Sequence, residues 1–133
     1  MPNELLNNTN RRPYVVVLKL KYKKNIYDFA IPFRSNISSR VSQELYFSLP
    51  PTSGTRTGNK AGLHLAKMFP VDKSYYEKFN IYPDTQHELN QEIISRKKRD
   101  LIVKCEAYLK RIENGDLIRY RVDIDKIISD LNL

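Results

Sequence analysis

The sequence predicts an α+β domain built around a mainly antiparallel sheet. Extended patterns rich in β-branched and aromatic residues fill the chain from Tyr14 to Val71. From Leu89 to Ile112, by contrast, the apolar residues recur at steps of three and four. Strands therefore come first and helices later, which is the order of an α+β fold. With 133 residues, 41% of them hydrophobic and 29% charged, the chain suits one domain spanning 1–133 with a real core.

Met1–Asn10 is polar, with four asparagines and a threonine, and is expected to be an N-terminal arm. Tyr14–Tyr22, "YVVVLKLKY", is the clearest strand. Its Leu18, Leu20 and Tyr22 alternate with Lys19 and Lys21, so one face is buried and the other presents lysines. "KKN" turns the chain into "IYDFAIPF", which predicts a hairpin, and Pro32 belongs at a bulge or an edge because it donates no hydrogen bond. The polar stretch from Ser35 to Gln43 is expected to hold a helical turn. Leu45–Pro50 is a third short strand. Pro50–Lys60 is the one stretch rich in Pro, Gly, Ser and Thr and is expected to be a long mobile loop. Ala61–Val71, "AGLHLAKMFPV", predicts a fourth strand ending at Pro70.

A short helix is expected over "KSYYEKFNIYP". A long amphipathic helix then runs over 85–113, capped by Asp84 or Thr85 and stopped at Asn114-Gly115. Cys105 falls on its apolar stripe, and "SRKKRD" (Ser95–Asp100), with Lys97 within it, falls on its exposed side. "LIRYRV" is expected to be extended. "DIDKIISDLNL" predicts a last helix capped by Asp123.

Charge narrows the function more than composition does. From Arg11 to Lys67 there are eleven basic residues and only two acidic ones, Asp28 and Glu44. From Met68 onward twelve basic residues balance twelve acidic ones. The net charge of +8 thus resides in the first half, an asymmetry that points to a polyanionic partner, most often nucleic acid. One cysteine forms no internal disulfide, and two histidines with it are too few and too scattered for a zinc site; no metal and no other cofactor is expected. No apolar run has the length to span a bilayer, and the first residues lack an apolar signal core, so a cytoplasmic protein is expected.

The stretch "YDFAIPFRSNIS" (Tyr27–Ser38) is unusual. It alternates like a buried strand, then ends in a guanidinium, a hydroxyl and an amide at Arg34, Ser35 and Asn36. Together with "RRPYVVVLKL" and "AGLHLAKMFPV", in that order and spacing, it resembles the ToxN/AbiQ family of type III toxin–antitoxin endoribonucleases, especially the CptN-like branch. The resemblance covers most of the chain through short motifs. It implies a compact, strongly bent antiparallel sheet with flanking helices. It also implies a metal-independent RNase inhibited by a small repetitive, pseudoknotted RNA antitoxin in a closed protein–RNA ring. The family's active-site serine falls on Ser35, with Arg34 in the position of a common threonine. The basic residue before the first strand falls on Arg12, and His64 stands where relatives often carry an asparagine. The chain departs from the pattern at Ile37, where many members have lysine, and in a shorter N-terminal segment.

The chemistry implied needs little from the protein, because RNA carries its own nucleophile. The 2′-hydroxyl attacks the adjacent phosphorus and leaves a 2′,3′-cyclic phosphate. The protein must align the hydroxyl, stabilise charge on phosphate and move protons. Arg34 suits the phosphate because its planar fork holds two oxygens. Ser35 can donate to a non-bridging oxygen, His64 has the side-chain type that titrates near neutrality, and Lys60 can stabilise the leaving oxygen. Arg11, Lys19, Lys21, Lys23, Arg40, Arg56, Lys60 and Lys97 are candidate RNA contacts, and Tyr14, Tyr22 and Tyr27 are candidate stacking surfaces. Structural roles compete: Ser35 can start a turn, His64 can pack or face solvent, and Arg12 can be an ordinary ion-pair partner. A non-catalytic RNA-binding module and a DNA-binding repressor using the basic helix are the alternative functions.

Overall fold

The computed structural model describes residues 15–72 and 85–133, with side chains from Asn90 onward in the second stretch. Five strands form an antiparallel sheet: β1 (Val15–Tyr22), β2 (Asn25–Ile37), β3 (Tyr46–Leu49), β4 (Lys60–His64) and β5 (Phe69–Val71). Three helices are described: α1 (Thr85–Arg96), α2 (Lys98–Glu113) and α3 (Ile124–Leu131). The order β1-β2-β4-β3, with β5 also on β2, hangs the sheet on one long strand. The first part of β2 pairs with β1 over Asn25–Pro32, and its last part pairs with β4 from Phe33 to Ile37. Changing partner midway curls the sheet into a half-barrel, the bent α+β architecture expected.

The curl encloses the core. Leu18, Leu20, Tyr22, Phe29 and Ile31 of the hairpin meet Leu63, Leu65 and Met68 on one side. On the other they meet Leu101, Cys105, Tyr108, Leu109 and Ile112 of α2 and Ile124 of α3. Cys105 is fully buried on the apolar stripe, and burial pushes its thiol up to about 12. Strand β1 is an open edge, and α2 closes it with charge: Glu106 accepts from the backbone N–H of Lys21 (2.9 Å) and Glu113 from that of Lys23 (3.1 Å). Among the described residues, no helix is long and apolar enough to cross a membrane.

Four elements differ in detail from expectation. The long helix is divided at Lys97, whose φ of −108° and ψ of 19° break the regular turn between α1 and α2. "AGLHLAKMFPV" is not one strand: β4 stops at His64, a 3₁₀ turn occupies Leu65–Lys67, and Phe69–Val71 returns to β2 as β5. The turn lets one segment follow the curl and pair at two levels of β2. "LIRYRV" is irregular, with Tyr120 in the left-handed region at φ 61°. Strand β2 runs on to Ile37, and the helical turn expected after Ser35 comes later, at Gln43–Leu45. The last helix is capped as expected, Asp123 accepting from the N–H of Lys126 at 3.1 Å. The polar arm, Arg11, Arg12, Tyr14, the helix expected at 73–83 and the first cap of the long helix lie outside the described residues.

Candidate nucleic-acid interface and phosphate site

Cross-strand register builds the rim of the half-barrel. Arg34 of β2, Gly62 of β4 and Ser48 of β3 stand side by side in one row. Alternation along β4 puts Lys60 and His64 on the same face as Gly62, while Ala61 and Leu63 point into the core. Arg34 thus stands opposite a glycine flanked by a lysine on one side and a histidine on the other. Gly62 is required by close approach: a Cβ there would collide with the carbonyl oxygen of Phe47 on β3.

A bulge re-aims the strand end. Arg34 pairs with Gly62 and Ile37 with Lys60, so Ser35 and Asn36 together face Ala61 alone. Asn36 uses the bulge to hold the Pro50–Lys60 loop. Its amide nitrogen donates to the carbonyl of Gly54 (2.7 Å), and its oxygen accepts from the N–H of Arg56 (2.8 Å) and the side chain of Asn59 (3.2 Å). Thr55 Oγ1 donates to the carbonyl of Ser35 at 2.7 Å. The loop expected to be long and mobile is thus bonded to the end of β2 over Gly54–Asn59. The Ser35 hydroxyl makes no hydrogen bond among the described residues, and Ser35 follows Arg34 directly at the bulge.

Electrostatics single out His64. Burial, the guanidinium of Arg34 and the ammonium of Lys67 lower its pKa to about 4. Its Nδ1 is buried and has no hydrogen-bond partner among the described residues. At neutral pH the imidazole is neutral, and two cations lie close enough to disfavour its charged form. Neither cation forms an ion pair with a carboxylate among the described residues; the Lys67 ammonium instead donates to the carbonyl of Tyr120. Such an arrangement accepts an anion, and an arriving phosphate would raise the basicity of His64.

The other sequence-expected contacts disperse. Lys60 belongs to the rim, and Arg56 and Arg40 are exposed on the neighbouring loops. Lys19 pairs with Asp28 (3.1 Å) and Lys23 with Asp125 (2.9 Å). Asp28 lies six residues before Arg34 on β2, and Lys23 lies further still, at the turn beyond Asn25, so along the strand Lys19 is about 20 Å from the rim and Lys23 about 30 Å. Lys21 is exposed and Lys97 sits at the helix break. Tyr22 is unavailable for stacking: it is buried, its hydroxyl donates to Asp125 at 2.9 Å, and its ring meets Phe29 edge-on. Tyr27 also packs edge-on against Phe29. Among the described residues no group of three His, Cys, Asp or Glu side chains is placed to hold a metal ion.

Sequence reasoning missed Gly62, Ser48 and Lys67. A glycine inside a strand pattern is a readable sign of close backbone approach, but the neighbours of Ser48 and Lys67 depend on register and on the 3₁₀ turn. Compared with protein-family models, curated proteins and solved structures, the chain gives no match.

Proposed function

We propose that the protein is a metal-independent endoribonuclease that cleaves RNA through its own 2′-hydroxyl. In this reading a phosphate sits between Arg34 and Lys67. His64 accepts the proton of the 2′-hydroxyl as that oxygen attacks phosphorus. Arg34, with the Ser35 hydroxyl, bonds the non-bridging oxygens as their charge grows. The bond to the 5′-oxygen breaks, Lys60 supplies positive charge beside it, and the departing oxygen takes a proton from solvent. The product ends are a 2′,3′-cyclic phosphate and a 5′-hydroxyl. The observation that carries the reading is the neutral, half-buried imidazole close to two cations: among the described residues its Nδ1 has no hydrogen-bond partner and neither cation pairs with a carboxylate.

The biological setting rests on the sequence resemblance to the ToxN/AbiQ family. We place the enzyme as the toxin of a type III toxin–antitoxin system, inhibited by a small repetitive RNA in a protein–RNA ring and acting on cellular RNA in the cytoplasm. The test is incubation with total RNA in EDTA, followed by mapping of the ends. Cyclic-phosphate ends that vanish when a single 2′-deoxy sugar is placed at the scission point are expected. Binding without cleavage leaves a non-catalytic RNA-binding module, and unchanged scission of the deoxy substrate overturns the mechanism.

A further inference from the structure

Beside the rim, the irregular segment between α2 and α3 carries two of the most exposed apolar side chains of the described chain. Leu117 is 99% and Tyr120 82% exposed. Tyr120 is also held in a backbone conformation that residues with a Cβ rarely adopt, at φ 61°. Its surroundings enforce that geometry. Lys67 donates to its carbonyl and lies 5.9 Å from its ring centroid. Two residues on, the N–H of Val122 donates to the carbonyl of Ala66 at 3.0 Å. Both anchors belong to the 3₁₀ turn that begins after His64. A strained aromatic is thus fixed one side chain away from the imidazole, its ring in solvent, between Arg119 and Arg121. Packing explains none of this, because a ring so exposed buries little; a ligand with a flat face and negative charge does.

Resting on the RNA reading above, we propose that Tyr120 is the stacking platform for an unpaired base of the RNA strand whose phosphate lies between Arg34 and Lys67. The occupant is single-stranded RNA because a duplex keeps its base faces covered, whereas splayed bases stack on tyrosine and follow a basic track. The platform is sequence-tolerant, since every base has a π-face; it selects unpaired over paired strands.

The chain contains no tryptophan, so Tyr120→Trp gives a single indole reporter in the full-length protein. The probes are 2′-O-methyl strands of about 12 nucleotides, within the footprint of single-strand binding sites. One is single-stranded, one is annealed to its complement and one is a backbone without bases; a label on each reports binding by anisotropy. The single strand is expected to quench the indole, and the base-less backbone and duplex are not. Tyr120→Ala should weaken single-strand binding about tenfold, with Tyr120→Phe retaining it. Binding that leaves the indole unchanged, equal quenching by the base-less backbone, or full affinity in Tyr120→Ala overturns the platform while the RNA reading stands. A protein-concentration-dependent emission change without RNA assigns the surface to a second copy and overturns it too. If no strand binds at all, the RNA reading falls and the platform with it.

Discussion

Basic residues gather around both ends of β2, and the fold treats them in opposite ways. At the hairpin end Lys19 and Lys23 meet Asp28 and Asp125, and the carboxylates of Glu106 and Glu113 bond the backbone of the open edge. At the rim, Arg34 and Lys67 pair with no carboxylate among the described residues and, after burial, lower the pKa of His64. Equal charge in the sequence becomes structural glue at one end and unbalanced potential at the other. On the proposed reading, functional charge is marked less by a count of lysines than by the lack of a counter-charge among the described residues.

The sharpest way to break this contrast is to remove one cation from each end. Arg34→Ala should lower RNA cleavage by about 10²–10³-fold, the usual cost of losing a donor to transition-state charge, with little change in melting temperature. Lys19→Ala should leave cleavage within about threefold, since an exposed pair contributes little. Equal losses in the two variants would erase the distinction between the ends.

The two ends also differ in pH response. Above pH 6.5 His64 is neutral whether the chain is folded or not. As pH falls toward about 4 the unfolded chain binds a proton that the folded site resists, so stability declines across that window. The decline is at most about 3 kcal/mol, and His64→Gln should flatten it in pH-dependent denaturation. On the proposed mechanism, the acid limb of kcat/KM for RNA cleavage should likewise lie near pH 4 rather than near 6.5. Asp125 behaves differently. Burial would raise its pKa, but hydrogen bonds from Lys23 and Tyr22 outweigh that and hold it below the ordinary value. Its contribution is present above the ordinary carboxylate range and is lost only as pH falls through the depressed folded value.

The two ends were unequally legible in the sequence. The hairpin reads directly, because alternation at Leu18, Leu20 and Tyr22 sets both strand and buried face, and Asp123 and Cys105 follow from local rules. Arg34, Ser35 and His64 also stand out as polar groups ending or interrupting apolar strands. That His64 falls close to both Arg34 and Lys67 is not local information; it follows from β2 exchanging β1 for β4 midway. The partner of Lys19, Asp28, is its direct neighbour across the hairpin, whereas that of Lys23 was hidden because Asp125 of α3 is over a hundred positions away. Tyr120 was invisible as a platform because nothing nearby in sequence signals a left-handed backbone.

Asn36 tests how far the rim depends on the bulge. Asn36→Ala removes three hydrogen bonds to the Pro50–Lys60 loop, two of them to backbone groups. A loss of about 2 kcal/mol is expected, given about 1 kcal/mol per bond with partial replacement by water. Hydrogen exchange should rise at Arg56 and Asn59 while the hairpin amides stay protected. A uniform rise across the chain would mean that rim and hairpin unfold as one unit.

The smallest expected effect comes from the hairpin turn. Lys23 and Lys24 occupy both central positions of a two-residue loop, at φ 49° and 69°, where asparagine and glycine are the favourable residues. Lys23 is compensated by its bonds to Glu113 and Asp125, whereas Lys24 is exposed and has no ion pair among the described residues. Lys24→Gly should therefore raise stability by up to about 1 kcal/mol, because relief of the left-handed Cβ clash exceeds the extra chain entropy of glycine. Denaturant midpoints measure the gain, and cleavage should be unaffected if the hairpin end is only structural. A drop in cleavage with higher stability would instead place the free Lys24 charge on the RNA path and extend the functional surface along the whole of β2.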